Sequence, residues 1–467
     1  MKMLKCVPTG YLGMDILLGQ NVRDGQGNLI EVQRGFTIGK QYDFSAFPGA
    51  GKSTIVGDFA GFAYHCGYPV YKTLIIDADN AAWDVNRLVK ITQLPRDIVE
   101  KNFEIFECTT IEGITDRLNK LDAEYKKEKF KPVEVTNIYT GETEKMMPYV
   151  CVIVDTVTSL NSEANDVGGK GDTLANESFL NAFRKLSSLI GTITNYFEGN
   201  IIVIWTSHLK KNKPELGARV AAKEFKSSPN SWKSHLPERL RQKATGIYFM
   251  QADDSANTES SEHPIVKYGL QDLAEGGNAY GVNMTAVKSR SGIEGRTKLK
   301  FMFVNGAFDR TMSLLAAAVS FGIFRETTEQ YPSAQNPHIF KNSPEENKVM
   351  GSKRKKALYI NGYDRPTNIM EARLLLNYVG DDEELIALRN KLQLALIQGF
   401  EDKLFYELEV NNVSSEELAT NKQKLNALLG MLSQVKRTKT LDTTKKIELP
   451  PEQSLEDDDV PYDDDEE

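Results

Sequence analysis

The sequence predicts an α/β protein in which helices cover a twisted, mostly parallel β-sheet. Three short apolar runs support this prediction, at residues 73–76, 152–154 and 201–205, and helical patterns separate them along the chain. Short apolar runs that alternate with helices are typical of parallel strands buried on both faces. Each run ends in polar side chains, and such sheets bind ligands at the carboxyl ends of their strands. The sequence therefore predicts a functional site at that edge.

Residues 46–54, AFPGAGKST, form the most specific motif of the chain. A strand pattern precedes them and a helical pattern follows, which is the context of a phosphate-binding loop of the type G-x-x-x-x-G-K-[ST]. In that loop the backbone N–H groups surround the phosphates, the lysine reaches the terminal phosphates and the hydroxyl binds Mg²⁺. Ala46 takes the place of the first glycine, so its backbone must be one that tolerates a Cβ atom. The alternative is a glycine-rich turn before an ordinary helix.

The phosphate-binding loop predicts ATP and Mg²⁺ as cofactors. The expected nucleotide-binding residues are Phe47, Pro48, Gly49, Ala50, Gly51, Lys52, Ser53, Thr54 and Asp155. Ser53 and Asp155 are also the expected Mg²⁺ ligands. Asp155 is included because it ends an apolar run downstream of the loop, as the metal-holding acid of such ATPases does.

Two further polar residues, which with Lys52 form the candidate catalytic centre, follow apolar runs. Asp79 comes after residues 73–76, where a carboxylate can orient the water that attacks the γ-phosphate. His208 comes after residues 201–205, beside the expected position of the same phosphate, and can sense it. The alternatives are a solvated strand end for Asp79 and a satisfied strand-end histidine for His208.

Residues 210–243 are the most basic stretch, and two aromatic side chains lie within it. Cations that track phosphates, interleaved with rings that stack on bases, are what a single-stranded nucleic-acid site requires. The candidate DNA-binding residues here are Lys210, Lys211, Lys213, Arg219, Lys223, Phe225, Lys226, Trp232, Lys233, Arg239, Arg241 and Lys243. Because the stretch directly follows the strand that ends at His208, it can couple the nucleotide state to binding. A solvated basic loop is the alternative.

Residues 282–304 predict two antiparallel strands joined through Gly292–Gly295. Lys288 and Arg290 fall on one face of the first strand, because strand side chains alternate with a period of two. Two cations on one face could clamp a phosphate that belongs to a neighbouring subunit, as an arginine finger does. The alternative is a pair of cations on a solvated strand face.

The chain of 467 residues is longer than one hydrophobic core usually supports, so we expect two domains plus extensions. We predict an ATPase core at 1–325, a linker or long loop at 326–365, a small helical C-terminal domain at 366–440 and a disordered acidic tail at 441–467. The net charge is −8, but residues 452–467 carry ten acids and no base, which leaves −8 + 10 = +2 for the remainder. A nucleic-acid partner is therefore compatible with the charge.

The compartment is predicted from three features. The N-terminus lacks the apolar core of a signal peptide, and no apolar run is long enough to span a membrane. The four cysteines have no paired spacing, which favours a reducing compartment over disulfides or zinc. We therefore expect a cytoplasmic protein without a membrane partner.

In this order, the motifs resemble those of the RecA-family ATPases, and within them the UvsX-like recombinases of large phages. The resemblance covers roughly residues 5–325 and rests on PTGYLGMD, FPGAGKST, IIDADNA, VCVIVDTVTSL, VIWTSH and VKSRSG. It implies a RecA-like core in which Lys52 and Ser53 bind nucleotide and Mg²⁺ and Asp155 is the Walker-B acid. Asp79 matches the family's catalytic carboxylate, which is normally Glu, and the shorter side chain is expected to slow hydrolysis.

The same resemblance assigns residues 161–172, which include Lys170, and residues 209–243 to two DNA-binding loops. It also implies that Lys288 and Arg290 reach across a subunit interface to ATP. Two features depart from the recombinase pattern. The N-terminal helix and strand that grip the next subunit are not evident, because the first nine residues are too few for an assembly domain. K-x-R-x-G-x-x-G-x-x-x-L at 288–299, together with Ala46, also resembles ring helicases of the DnaB type and the RadA branch.

The expected activity is a DNA-dependent ATPase that coats single-stranded DNA as a helical filament and promotes homologous pairing in recombination and repair. One alternative is a ring-forming helicase or branch-migration motor, and another is a nucleotide-gated DNA-binding module without catalysed strand exchange. The expected partners are single-stranded DNA, further copies of the chain in a filament or ring, and a single-strand-binding or loader protein at the acidic tail.

Overall fold

The computed structural model describes residues 5–23, 29–79, 83–138, 143–160, 184–211, 232–234, 238–252, 279–289, 298–340 and 355–400. The strands are β1 Cys6–Val7, β2 Gln20–Arg23, β3 Leu29–Gln33, β4 Phe36–Thr37, β5 Lys40–Ala46, β6 Val70–Asp77, β7 Phe103–Glu107, β8 Val133–Thr136, β9 Thr143–Met146, β10 Tyr149–Asp155, β11 Ile201–Lys211, β12 Trp232–Ser234, β13 Gly246–Ala252, β14 Ala279–Ser289, β15 Lys298–Val304, β16 Ala307–Phe308, β17 Arg325–Tyr331, β18 Lys355–Ile360 and β19 Tyr363–Thr367. The helices are α1 Leu12–Leu18, α2 Lys52–His65, α3 Val85–Thr92, α4 Arg96–Asn102, α5 Ile111–Lys127, α6 at 184–192, α7 Glu238–Lys243, α8 Arg310–Ser320, α9 Ile369–Leu376 and α10 Glu383–Phe400.

Ten strands form one large sheet, in the order β16-β15-β14-β13-β5-β11-β10-β6-β7, with β12 paired to β11. The six strands from β13 to β7 are parallel to one another. Antiparallel pairing adds β14, β15 and β16 at one end, and adds β12 beside β11. The predicted mixed α/β fold with a mostly parallel sheet is confirmed, and the predicted hairpin at 282–304 corresponds to β14 and β15.

Burial on both faces explains why β10 is apolar up to its last residue. Ile153 of β10 packs in one hydrophobic cluster with α2, α3 and α8, whereas Val152 and Val154 pack in a second cluster with α5 and α6 on the opposite face. Such a strand needs no polar alternation, and this is the pattern that predicted parallel strands here. The two clusters hold the sheet between helices, so the strand ends keep fixed relative positions.

Parallel pairing brings the carboxyl ends of the central strands to one edge of the sheet. The register places Ala46 of β5 opposite His208 of β11, and Asp155 of β10 opposite Asp77 of β6. Residues that are 162 and 78 positions apart in the sequence therefore meet at this edge. The loop before α2 lies at the same edge, because α2 follows directly from β5.

The chain after α8 differs from the predicted linker. Residues 326–365 were expected to form a linker or long loop, but β17, β18 and β19 form a three-stranded antiparallel sheet within this range. The strand signal was weak because most side chains of β17 are exposed, so it lacks an apolar face. Helices α9 and α10 lie in the part of 366–440 that the structure describes. Their apolar residues join the same cluster as α2 and α8.

Within the described ranges, no helix is both long enough and apolar enough to cross a membrane. The expected acidic tail at 441–467 lies outside the described residues.

Candidate functional site

The loop between β5 and α2 has the backbone geometry that its motif predicts. Gly49 and Gly51 have φ values of +78° and +74°, in the left-handed region that glycine adopts most readily. Gly51 immediately precedes α2, whose first residues are Lys52 and Ser53. The loop therefore ends at a helix N-terminus, where free N–H groups and the positive end of the helix dipole favour an anion.

Ala46, the departure from the motif, fits its position without strain. It is the last residue of β5, it pairs with His208 and Met250 on the two neighbouring strands, and its side chain is fully buried. Its backbone is extended like the rest of the strand, so a Cβ atom is tolerated here. The strand thus continues to the place where other loops of this type need glycine.

Gly51 is also restricted by space. A Cβ atom at this position would lie 2.8 Å from Cζ of Phe303 and 3.1 Å from the hydroxyl oxygen of Tyr280. The two rings are stacked, with centroids 4.5 Å apart and an angle of 8° between their planes. The antiparallel strands β14 and β15 therefore carry an aromatic pair against the base of the loop.

Several side chains donate hydrogen bonds to the Asp155 carboxylate at this edge. Its Oδ2 accepts hydrogen bonds from Ser53 Oγ at 2.6 Å and from Trp83 Nε1 at 2.8 Å. Its Oδ1 accepts from Thr206 Oγ1 at 2.6 Å, and the same hydroxyl accepts from the backbone N–H of Thr156 at 3.0 Å. The carboxylate is 1% exposed, so these donors replace solvent almost completely.

Ser53 and Asp155 are suitable Mg²⁺ ligands, because a hydroxyl and a carboxylate oxygen from different elements lie next to each other beside the loop. Across the described part of the chain, no group of three or more His, Cys, Asp or Glu side chains could hold a metal ion. Two protein oxygens are what Mg²⁺ commonly takes when phosphates and water complete its shell. The residues present therefore fit a nucleotide-bound Mg²⁺.

Lys52, His208 and Asp79 form a chain of polar contacts along the edge. Lys52 Nζ lies 3.5 Å from His208 Nδ1, and His208 Nε2 lies 3.7 Å from Asp79 Oδ2. An ammonium group can only donate, so Nδ1 accepts and the imidazole proton is on Nε2, towards Asp79. Asp79 also accepts a hydrogen bond from Ser159 Oγ at 2.9 Å. The structure thus brings together three of the five predicted catalytic residues, the other two being Lys288 and Arg290.

Burial and charge set the protonation of this chain. Burial, followed by the nearby Lys52 charge, lowers the pKa of His208 below its ordinary value, and the carboxylates oppose that shift. The imidazole is therefore neutral near pH 7. Burial also lowers the pKa of Lys52, against the attraction of three carboxylates, chiefly Asp155. An anionic ligand would oppose both shifts, because a nearby negative charge favours the protonated form of each group.

A buried carboxyl group lies beneath the loop and was missed by sequence reasoning. Asp43, in the middle of β5, is fully buried, and both Ser45 Oγ and Ser207 Oγ donate to its carboxyl oxygens, the latter at 3.3 Å. The two serine hydroxyls are 2.6 Å apart. Burial raises the pKa of Asp43 to about 7, although these hydrogen bonds and the charges of Lys52 and Arg241 act in the opposite direction.

Lys288 has partners within its own chain. Its Nζ donates to the backbone oxygen of Arg241 at 2.7 Å and to that of Gln242 at 3.1 Å, near the C-terminal end of α7. A cation at this end of a helix satisfies carbonyl groups and the helix dipole. In this conformation Lys288 holds the basic helix, and its predicted reach to a neighbouring subunit stays a prediction. Arg290 lies outside the described residues.

The predicted DNA-binding residues are only partly described. The antiparallel pair β11–β12 contains four of them in its backbone register, with Lys210 opposite Lys233 and Lys211 opposite Trp232. On α7, Arg239 and Lys243 are exposed and Arg241 is half-buried. The remaining candidates, which are Lys170, Lys213, Arg219, Lys223, Phe225 and Lys226, lie outside the described residues.

Sequence reasoning missed Asp43 and Trp83 as residues of the site, and the sequence indicates only the first of them. β5 places Gln41, Asp43 and Ser45 on one face and apolar residues on the other, although both faces are buried. Alternating polar residues in the strand that precedes this loop motif could have indicated a buried polar group beneath the loop. Trp83 offers none, since an isolated tryptophan before a helix is an ordinary core residue.

No family model matches the chain, and no curated protein matches it. The class of this protein is therefore inferred from its fold and its site.

Proposed function

We propose that this chain is a DNA-dependent ATPase with a RecA-like core, which binds single-stranded DNA as a filament of identical subunits and promotes homologous pairing. The single observation that supports it best is the course of β11. This strand places His208 beside Lys52 and continues directly into the basic residues Lys210 and Lys211. One rigid strand thus connects a phosphate-binding lysine to the start of the most basic stretch.

The roles within the nucleotide site follow from the contacts. The loop and the N-terminus of α2 bind the phosphates, and Lys52 neutralises the terminal ones. Mg²⁺, held by Ser53 and oriented by Asp155, would supply charge stabilisation to the leaving phosphate oxygens. Asp79, which is 43% exposed, is open to the attacking water and orients it. His208 contacts both Lys52 and Asp79, so a change at the γ-phosphate alters the end of β11.

The register of β11 and β12 supports an anionic partner at the basic stretch. In this antiparallel pair Lys210 lies opposite Lys233 and Lys211 lies opposite Trp232, so residues of the basic stretch are adjacent in the sheet. The charge of the chain without its acidic tail, +2, agrees with a nucleic-acid partner.

ATP hydrolysis tests the nucleotide half of this proposal. The purified chain should hydrolyse ATP faster when single-stranded DNA is added, and Lys52→Ala should abolish turnover in both conditions. Lys120→Ala, on an exposed position of α5, is the matched control and should leave turnover unchanged. Normal hydrolysis by Lys52→Ala would show that the site is elsewhere.

The salt dependence of DNA binding tests the other half. Replacing Lys210, Lys211 and Lys213 by Glu should weaken binding and flatten the log–log slope, by about 0.7 for each lost phosphate contact on a single strand. The control replaces Lys120, Lys127 and Lys131, which are exposed and far along the chain from β11, and should keep the wild-type slope. An unchanged slope in the first variant would place the DNA site elsewhere.

Electron micrographs of the chain with ATP and single-stranded DNA test the filament. Open helical filaments are expected. Closed hexameric rings would favour a helicase or branch-migration motor instead, and monomers that do not respond to DNA would contradict both.

A further inference from the structure

Among the donors to the Asp155 carboxylate that the structure describes, Trp83 is the one that cannot also bind a metal ion. Oδ2 of this carboxylate accepts from Ser53 Oγ at 2.6 Å and from Trp83 Nε1 at 2.8 Å. A carboxylate oxygen offers about two lone-pair directions, so these two donors fill its hydrogen-bonding capacity. Thr206 donates to the other oxygen at 2.6 Å.

The two donors to Oδ2 respond differently to a cation. The Ser53 hydroxyl has lone pairs that can bind Mg²⁺ while its proton still points at Asp155. The indole of Trp83 has a donor N–H and no acceptor, and it offers a cation no oxygen. Mg²⁺ usually keeps several of its waters, and such a water would need the lone pair that Trp83 now fills.

The position of Trp83 is fixed by more than this hydrogen bond. The ring is 5% exposed and packs on α2 at Gly57, where a Cβ atom would lie 3.1 Å from its Cη2. The Arg87 guanidinium lies 5.0 Å from the centroid on the ring face. Asp84, the next residue, caps α3 by accepting from the N–H of Arg87 at 2.8 Å. Packing thus holds the indole N–H against Asp155.

We propose that Trp83 is a positioning residue that competes with metal-bound water for Asp155 and thereby raises the Mg²⁺ concentration that the nucleotide site requires. This inference rests on the proposed nucleotide site. Before Mg²⁺ binds, Trp83 keeps the buried carboxylate hydrogen-bonded. When Mg²⁺ binds, the indole N–H leaves Oδ2, and the movement is transmitted to α3 through Asp84.

The test uses the full chain and a fluorescent ADP analogue at a fixed concentration, titrated with Mg²⁺. Trp83→Phe removes the N–H and keeps an aromatic ring, so the Mg²⁺ midpoint should fall about three- to tenfold, as expected for the loss of one competing hydrogen bond. Trp205→Phe is the matched control, because it loses a buried indole bond to Gln41 at 2.9 Å, and its midpoint should equal that of wild type.

An equal or higher midpoint in Trp83→Phe, with the analogue bound, would overturn the inference. A purely structural role would lower the unfolding temperature and leave the midpoint unchanged. Failure of the wild-type chain to bind the analogue at any Mg²⁺ concentration would instead overturn the proposed nucleotide site.

A second measurement leaves Trp83 intact and therefore does not depend on the folding of that variant. The chain has three tryptophans, so the double variant Trp205→Phe, Trp232→Phe reports on Trp83 alone. Its emission should change when Mg²⁺ and ADP are added together, and should stay constant with ADP and a chelator. Constant emission in both conditions would contradict displacement of the indole.

Discussion

His208 Nδ1 lies 3.5 Å from Lys52 Nζ, and this contact joins the first residue of α2, which follows the proposed phosphate-binding loop, to the strand that leads into the basic stretch. The side chain is neutral near pH 7 because burial and the Lys52 charge lower its pKa. It can therefore accept from Lys52 and donate towards Asp79 at the same time.

Replacing His208 should separate nucleotide binding from the response to DNA. His208→Asn should bind ATP with near wild-type affinity, since the loop is unchanged. DNA-stimulated hydrolysis should fall about tenfold, which corresponds to the loss of about 1.4 kcal/mol of coupling. His65→Asn is the control, because His65 is the last residue of α2, at the end away from the loop, and its Nε2 lies 2.8 Å from the backbone oxygen of Thr92 at the end of α3. Equal DNA stimulation in the His208 variant and wild type would contradict a sensing role.

Gly51 and Gly49 should differ sharply when each is replaced by alanine. Both have positive φ, so each variant carries about 1–2 kcal/mol of backbone strain. Only Gly51→Ala also meets Phe303, at 2.8 Å, whereas a Cβ at Gly49 has no atom within 4 Å. The overpacking should cost Gly51→Ala about 1–3 kcal/mol more.

Chemical denaturation of the two glycine variants measures this difference. In a double-mutant cycle, Phe303→Leu should recover part of the loss in Gly51→Ala and none in Gly49→Ala. Equal losses in the two single variants would mean that the loop moves away from Phe303 at little cost.

Restoring the consensus glycine at Ala46 should not improve the site. Ala46→Gly removes a buried methyl group from an extended strand position, so the free energy of unfolding should fall by about 1–2 kcal/mol. The affinity for ATP should stay the same, because the residue precedes the phosphate-binding turn. Denaturation and nucleotide titration of the same preparation check both statements. A gain in ATP affinity would indicate that the alanine constrains the loop.

The buried carboxyl of Asp43 should make stability depend on pH. Its pKa is raised to about 7 in the folded chain from an ordinary value of 3.8, so the folded state holds the proton more tightly. This tighter proton binding stabilises the folded state fully below about pH 4, and the stabilisation is lost as the pH rises towards 7. Asp43→Asn mimics the protonated group and should remove this slope.

The measurement for Asp43 compares the free energy of unfolding of both proteins from pH 4 to pH 8. The free energy of unfolding of Asp43→Asn should exceed that of wild type by an amount that grows with pH, to the order of 4 kcal/mol at most. Comparing the two proteins cancels the titration of all other groups. A constant difference across this range would mean that the carboxyl is ionised throughout.

The parts of the site that lie close together in the sequence were predictable, because their geometry is local. The loop from Phe47 to Thr54 follows from a motif, and Asp155 follows from an apolar run that ends in one acid. The bond between Asp43 and Ser207 was not predictable, since it joins residues 164 positions apart through the register of two strands. The strand β17 gave no signal because its side chains are mostly exposed. Trp83 required the packing of α2 and α3 to be known.

The pairing of Lys211 with Trp232 has a consequence for how the chain can be re-engineered. These two residues flank positions 212–231 and are paired neighbours in the sheet, so a tight turn could join β11 to β12 directly. Positions 212–231 could therefore be exchanged for another segment while the β11–β12 pair and the residues of the proposed nucleotide site stay in place.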